Sequence, residues 1–229
     1  LGEAGGTGSR RGPGRSRSTR IQLRVVPQRA GLLRGAMDDM SESSRVAAKQ
    51  QQHKKVKDWQ EYALKRSPMV KFMMEHMEKS GCKVDESYFT VRHCDEKVGG
   101  GFDAEQKPYG AIVLCQNHVK DYKHAELTLT HELIHAYDNC RAFVDWSNCV
   151  HHACSEIRAA SLSGDCKWWQ EMQRGNTEMQ GQGAKCVKRR AALSVAMNPA
   201  CQAPGAAEKA VDAAFERCFR DTAPFDRVP

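Results

Sequence analysis

Thr130-His131-Glu132-Leu133-Ile134-His135-Ala136-Tyr137-Asp138-Asn139-Cys140-Arg141 is the stretch from which the rest of this chain can be read. Ala125-Glu126-Leu127-Thr128-Leu129 precedes it, and no Pro or Gly interrupts Asp121 to Cys140, so the pattern predicts a helix over 122–140. On a helix, residues four apart lie one turn from each other on the same face. His131 and His135 can therefore share one metal ion. Glu132 follows the first histidine, where its carboxylate reaches a water molecule beside the ion rather than the ion itself.

The spacing is the HExxH arrangement of zinc-dependent peptidases. It is rare by chance, and the two variable positions, Leu133 and Ile134, are apolar, as a buried helix requires. A third ligand is needed to leave one open position. The HExxHxxGxxH continuation is excluded, because Asp138 stands at the Gly position and Arg141 at the last His position. Glu156 lies 21 residues after His135. A short loop around Asp145-Trp146-Ser147-Asn148 would fold a second helix back antiparallel and aim Glu156 at the metal. Asp138, one turn beyond His135, is the alternative, with His151, His152 and the more distant His124 as further rivals. Away from a metal, Glu156 would pair with Arg158 or Arg141. One catalytic Zn²⁺ is the expected cofactor.

Working outward, Glu42 to Arg66 is polar and helix-prone, and Ser67-Pro68 reads as an N-cap with Pro at the first helical position. The helix 68–79 carries Met73, Met74 and Met77, expected as core fillers, and Ser80-Gly81 ends it. Tyr88–His93 has strand composition. Gly99-Gly100-Gly101 reads as a flexible loop. Tyr109–Cys115 reads as a strand buried on both faces beside the HExxH helix. A helix over 149–163 follows, then helices over 166–174, 184–197 and 206–219. Trp168-Trp169 is expected to serve packing. The expected fold class is α+β, a zincin-like small sheet packed on the HExxH helix and a following helix, with a mostly helical C-terminal half.

The net charge of +7 is unevenly placed. Residues 1–36 hold eight Arg, no Lys and one acid, Glu3, which account for all of it; the remaining sequence carries equal numbers of basic and acidic residues. The folded part thus offers no bulk electrostatic argument for nucleic acid, and no nucleic-acid partner is expected. Residues 1–41 are expected to be a disordered Arg/Gly-rich leader, either a transit peptide or sequence upstream of a start at Met37, and 42–229 a zinc metalloprotease domain. No stretch has the 18 consecutive apolar residues of a membrane span. Ten cysteines without a CxxC pair suit dispersed disulfide staples in an oxidising compartment.

The block 130–141, together with His151-His152-Ala153-Cys154-Ser155-Glu156-Ile157-Arg158-Ala159, resembles the mitochondrial inner membrane metalloprotease family that matures a membrane subunit of the ATP synthase. Some members of that family are also described as Ku-binding proteins. The likeness runs from about Val56 to the end and returns in Cys218-Phe219-Arg220-Asp221-Thr222-Ala223-Pro224-Phe225-Asp226. It implies a peripheral enzyme on the intermembrane-space side of the inner membrane, a precursor polypeptide as substrate, and a second, non-proteolytic role in ATP synthase assembly. It also implies that His131 and His135 are metal ligands and Glu132 the catalytic residue.

Glu132 would move the proton of the attacking water, and His151, His152 or Tyr137 would be the second donor to the oxyanion. A peptide would add as a strand along a sheet edge, expected at 110–116. Activity should fall on acidification as imidazoles of ordinary pKa, about 6.5, take up protons. The alternatives are a non-proteolytic assembly chaperone and a nuclear partner of a DNA-repair complex.

Overall fold

The computed structural model describes residues 41–177 and 181–229. The expected leader over 1–41 lies outside the described residues except for its last position. Among the described residues the fold is α+β, with a three-stranded sheet and seven α-helices.

Helix α1 (Glu42–Arg66) is exposed through its first half and buries only Val56, Gln60 and Ala63, at i, i+4 and i+7. Helix α2 (Pro68–Lys79) starts where the sequence predicts. Ser67 Oγ accepts from the Val70 N–H at 3.3 Å, and Pro68 occupies the first turn, where no N–H is missed. Val70, Met73 and Met77 line its inner face with no exposed surface, so the methionines fill core as expected. At the helix end Gly81 has φ +92°, and the Cys82 N–H closes on Met77 O.

The sheet order is β1 (Phe89–Arg92), β3 (Ala111–Cys115), β2 (Gly100–Asp103), with β1 parallel and β2 antiparallel to β3. Two expectations change here. Gly99-Gly100-Gly101 is not a loop, since Gly100 and Gly101 open an edge strand. A Cβ on Gly100 would stand 2.5 Å from Val113 O and 2.7 Å from Thr128 Cγ2. The glycine lets β2 lie flat between β3 and the HExxH helix. Second, β3 is the central strand and both its edges are paired, so 110–116 cannot receive an added peptide strand. Its burial also alternates, with Ile112 and Leu114 inward and Ala111 and Val113 half-covered, rather than being complete on both faces.

Helix α3 (Tyr122–Arg141) is capped by Asp121, which accepts from the His124 N–H at 2.8 Å. Helix α4 (Cys149–Leu162) is capped by Asn148, which accepts from the N–H groups of Val150 and His151. Helices α5 (Trp168–Gln173), α6 (Gln182–Val195) and α7 (Ala206–Arg220) complete the helical half. One core joins the sheet to α1, α2 and α3; a second joins α4, α6 and α7. Helix α4 serves both. Ala153, Ile157 and Ala160 face α6 and α7, while Ala159 and Leu162 face the first core. Its small residues permit close approach on every side.

All ten cysteines pair: Cys82–Cys140, Cys94–Cys115, Cys149–Cys201, Cys154–Cys218 and Cys166–Cys186. Three of these bridges anchor α3 or α4. Trp169 packs under Lys123 Nζ, 4.2 Å from the ring centroid, but Trp168 stays about half exposed, so the packing expectation holds for one of the two.

Candidate metal centre

Helices α3 and α4, joined by the turn at 142–148, bring His131, His135 and Glu156 together. One ligand atom from each lies within 4.8 Å of the others. His131 Nε2 stands 3.5 Å from Glu156 Oε2, and His135 Nε2 stands 3.5 Å from Glu156 Oε1. Donors held about 2.0–2.1 Å from a tetrahedral ion are separated by about 3.3–3.4 Å along each edge. The residues present therefore fit a single divalent metal, with two imidazoles and one carboxylate as the donor set.

The charges fit as well. Burial opposes ionisation of Glu156, yet His135, His131 and His152 around it hold its carboxyl well below the usual range. Burial also opposes a charge on His131, but the hydrogen bond that its ring donates to Glu156 and the charges of Glu132 and Glu156 raise its pKa to about 9. Without a metal, His131 and Glu156 thus favour a charged pair, imidazolium against carboxylate. Burial raises the pKa of Glu132, outweighing His131, His135 and the backbone N–H of Phe102. A carboxylate whose pKa is raised by burial is a better proton acceptor than one of ordinary pKa.

Of the rivals for the third position, all but His152 lie elsewhere. Asp138 sits behind His135. Its carboxylate accepts from Ser155 Oγ at 3.0 Å, Arg158 Nε at 2.9 and 3.1 Å, and Arg141 Nε at 3.2 Å. Arg158 and Arg141 therefore pair with Asp138, and not with Glu156. His151 is exposed and accepts from the Asp145 N–H at 3.2 Å. His124 accepts from the Lys120 N–H at 3.3 Å, at the start of α3. Tyr137 belongs to the first core, with Arg141 over its ring.

His152 does reach the centre, with Nε2 3.4 Å from Glu156 Oε1. Asn198 Oδ1 accepts from the Ala200 N–H at 3.0 Å, which leaves Nδ2 to donate to Trp146 O at 2.7 Å and to His152 Nδ1 at 3.0 Å. Nδ1 of His152 is then an acceptor, and Nε2 carries the proton. In that tautomer His152 is a hydrogen-bond donor at the centre and has no lone pair there for a metal.

Sequence reasoning missed Trp146, Asn198, Ser155 and Asp221. The Trp146 indole stands edge-on to both His135 and His152, at centroid distances of 5.9 and 5.7 Å, and touches Phe102 at 5.6 Å. Asn198 is 46 residues from His152, too far for any local spacing to reveal. Ser155 had a signal, since it precedes Glu156 on a helix expected to face the two histidines.

The Peptidase M76 family matches residues 54–226, nearly the span over which the sequence resemblance runs. A mitochondrial inner membrane protease atp23 of Emericella nidulans is 44% identical over 177 residues, covering 76% of this chain and 72% of that protein. The mitochondrial inner membrane protease ATP23 of Meyerozyma guilliermondii is 45% identical over 172 residues, 75% of this chain and 69% of the relative. Its Saccharomyces cerevisiae namesake is 43% identical over 179 residues, 75% of this chain and 77% of the relative. No solved structure matches. With its paired histidines and converging glutamate inside the matched span, the chain belongs to the Peptidase M76 family and is a metallopeptidase.

Proposed function

We propose that this chain is a zinc-dependent endopeptidase of the mitochondrial inner membrane, with His131, His135 and Glu156 as zinc ligands and Glu132 as the catalytic residue. The observation that carries the reading is the convergence of the three donor groups, one ligand atom of each within 4.8 Å of the others, with the Glu132 carboxylate buried beside them. Bound zinc would act as a Lewis acid on the scissile carbonyl and make the attacking water more acidic. Glu132 takes the proton of that water and returns it to the leaving amine nitrogen. His152 Nε2–H donates to the oxyanion, held in place by Asn198. The overall layout, a small sheet against an HExxH helix and a partner helix, is zincin-like.

The substrate path follows from the sheet. The Cys115 N–H donates to Gly99 O at 2.9 Å, so alternate residues of β2 point their polar groups at β3. Antiparallel alternation then turns the N–H and C=O of Gly100 and Phe102 towards the free edge. Phe102 is also the residue whose N–H serves Glu132. An extended peptide added along β2 runs past the base, which favours unfolded precursor segments as substrates.

The relatives' names supply the mitochondrial inner membrane and a proteolytic role. The sequence resemblance adds the precursor of an ATP synthase membrane subunit as substrate, the intermembrane-space side, and an assembly role separate from cleavage. Among the described residues no helix is long and apolar enough to cross a membrane; the peripheral attachment proposed here rests on the sequence resemblance. A purely non-proteolytic chaperone would have no use for the buried Glu132. A nuclear DNA-repair partner finds no support in the charge balance of residues 37–229.

The test is Glu132→Gln. Precursor cleavage should fall by about 10²–10⁴-fold while zinc stays bound. Undiminished cleavage, or loss of the metal in a folded variant, would overturn the assignment. Complementation of ATP synthase assembly by the same variant separates the assembly role from the catalytic one.

A further inference from the structure

We infer that Asp138, Ser155 and Arg158 form a positioning relay that orients the ligand His135, and that the segment 221–225 is a working part of this relay. The inference rests on the metal-site reading above. Ser155 Oγ donates its one hydrogen to Asp138 Oδ2 at 3.0 Å. The same oxygen lies 2.8 Å from His135 Nδ1, so in that contact it must accept. His135 is thereby held as the Nδ1–H tautomer, and its Nε2 lone pair faces the position shared with His131 and Glu156. Metal-binding histidines commonly donate their second N–H to a carboxylate. Here a serine hydroxyl stands between, and the carboxylate is one turn further along the ligand's own helix.

The carboxylate needs its own anchor, and Arg158 supplies it. This side chain is 1% exposed, and its Nε reaches both Asp138 oxygens. Its other two nitrogens donate to the carbonyls of Asp221 and Ala223, and Nη1 also stands 2.6 Å from Asp221 Oδ1. Arg141 repeats the connection, with Nε on Asp138 and Nη2 2.6 Å from Asp221 Oδ2. The segment is held from its far side by Phe225, stacked on Phe72 at 4.8 Å, and by Thr222 Oγ donating to Phe225 O at 2.9 Å. Cys154–Cys218 ties the same two regions covalently, one residue before Ser155 and three before Asp221. A pure packing role for 221–225 would not require two guanidinium groups to converge on it from a single carboxylate that also serves a ligand's hydroxyl partner.

The experiment measures zinc affinity of the full chain by chelator competition and records imidazole ¹⁵N spectra of the zinc-loaded protein. Ser155→Ala should weaken zinc binding about 10–100-fold with the five disulfides and helix content intact, and Ser155→Thr, which keeps a hydroxyl, should restore most of it. Phe225→Ala, distant from the metal, should weaken binding in the same direction by a smaller factor. The wild-type spectrum should show His135 protonated at Nδ1 and metal-bound at Nε2. A folded Ser155→Ala protein with affinity within twofold of wild type overturns the relay. So does a wild-type spectrum with Nδ1 of His135 on the metal, which decides the matter even if Ser155→Ala fails to fold. Wild-type protein that takes up no zinc at all would instead overturn the metal-site reading beneath the inference.

Discussion

Zinc and a proton should compete for the same position, and the competition sets a measurable pH dependence. In the metal-free protein the pKa of His131 is raised from about 6.5 to about 9, against its burial, by Glu156 and Glu132. Zinc needs the neutral ring, so below pH 9 each ion that binds must displace one proton from His131. At pH 7 the raised pKa corresponds to about a 100-fold loss of apparent affinity, or about 3 kcal/mol. Apparent affinity should rise about tenfold per pH unit between 7 and 9 and level off above. The window therefore lies higher than imidazoles of ordinary pKa would give. The same shift acts on the metal-free fold with a definite sign. The pair stabilises the folded state fully below about 6.5, where the unfolded ring is also protonated, and that contribution is lost as pH rises through 9. At the acid end Glu156, whose pKa is lowered, stabilises above its ordinary value and loses this contribution as pH falls through its depressed one. Chelator competition across pH 6.5–10, with chemical denaturation of the apo protein in parallel, reads both effects. Zinc affinity that is flat between pH 7 and 9 would refute the reasoning.

Other outcomes follow from the packing and the site. Gly100→Ala should cost about 1–3 kcal/mol in chemical denaturation, since its Cβ has no room between Val113 O and Thr128; an unchanged midpoint would show that β2 is not held against α3. His152→Gln should lower kcat by about 10²–10³-fold with zinc affinity nearly unchanged, whereas a loss of metal would make His152 a ligand. Replacing Cys154 and Cys218 together by Ala should cost about 2–4 kcal/mol of stability in thermal or denaturant unfolding, and no change would indicate that the pair is not bonded in solution.

Much of this molecule was legible from local pattern. The Ser67-Pro68 start, the methionine face of α2 and the bounds of α3 and α4 all follow from capping chemistry and helical period, which act over a few residues. The approach of Glu156 to the two histidines was reachable because two antiparallel helices with a short connection leave few side chains that can face the pair. The sheet was less legible. A triple glycine carries no side chain to pattern, so the strand β2 read as a loop, and its role is set by the close approach of Thr128 from another element. Once β2 took one side of β3, the edge proposed to receive a peptide moved from 110–116 to Gly100–Asp103.

The sequence by itself singled out the residues proposed to carry the chemistry, because a candidate metal pair and its acid stand at helical spacing within five positions. Only the tertiary structure decided how those residues are tuned. The tautomer of His152 depends on Asn198, that of His135 on Ser155 and Asp138, and the anchoring of Asp138 on carbonyls more than eighty positions further along the chain. Hydrogen-bond direction is a property of atoms in contact, and contacts at such separations leave no period in the sequence to read.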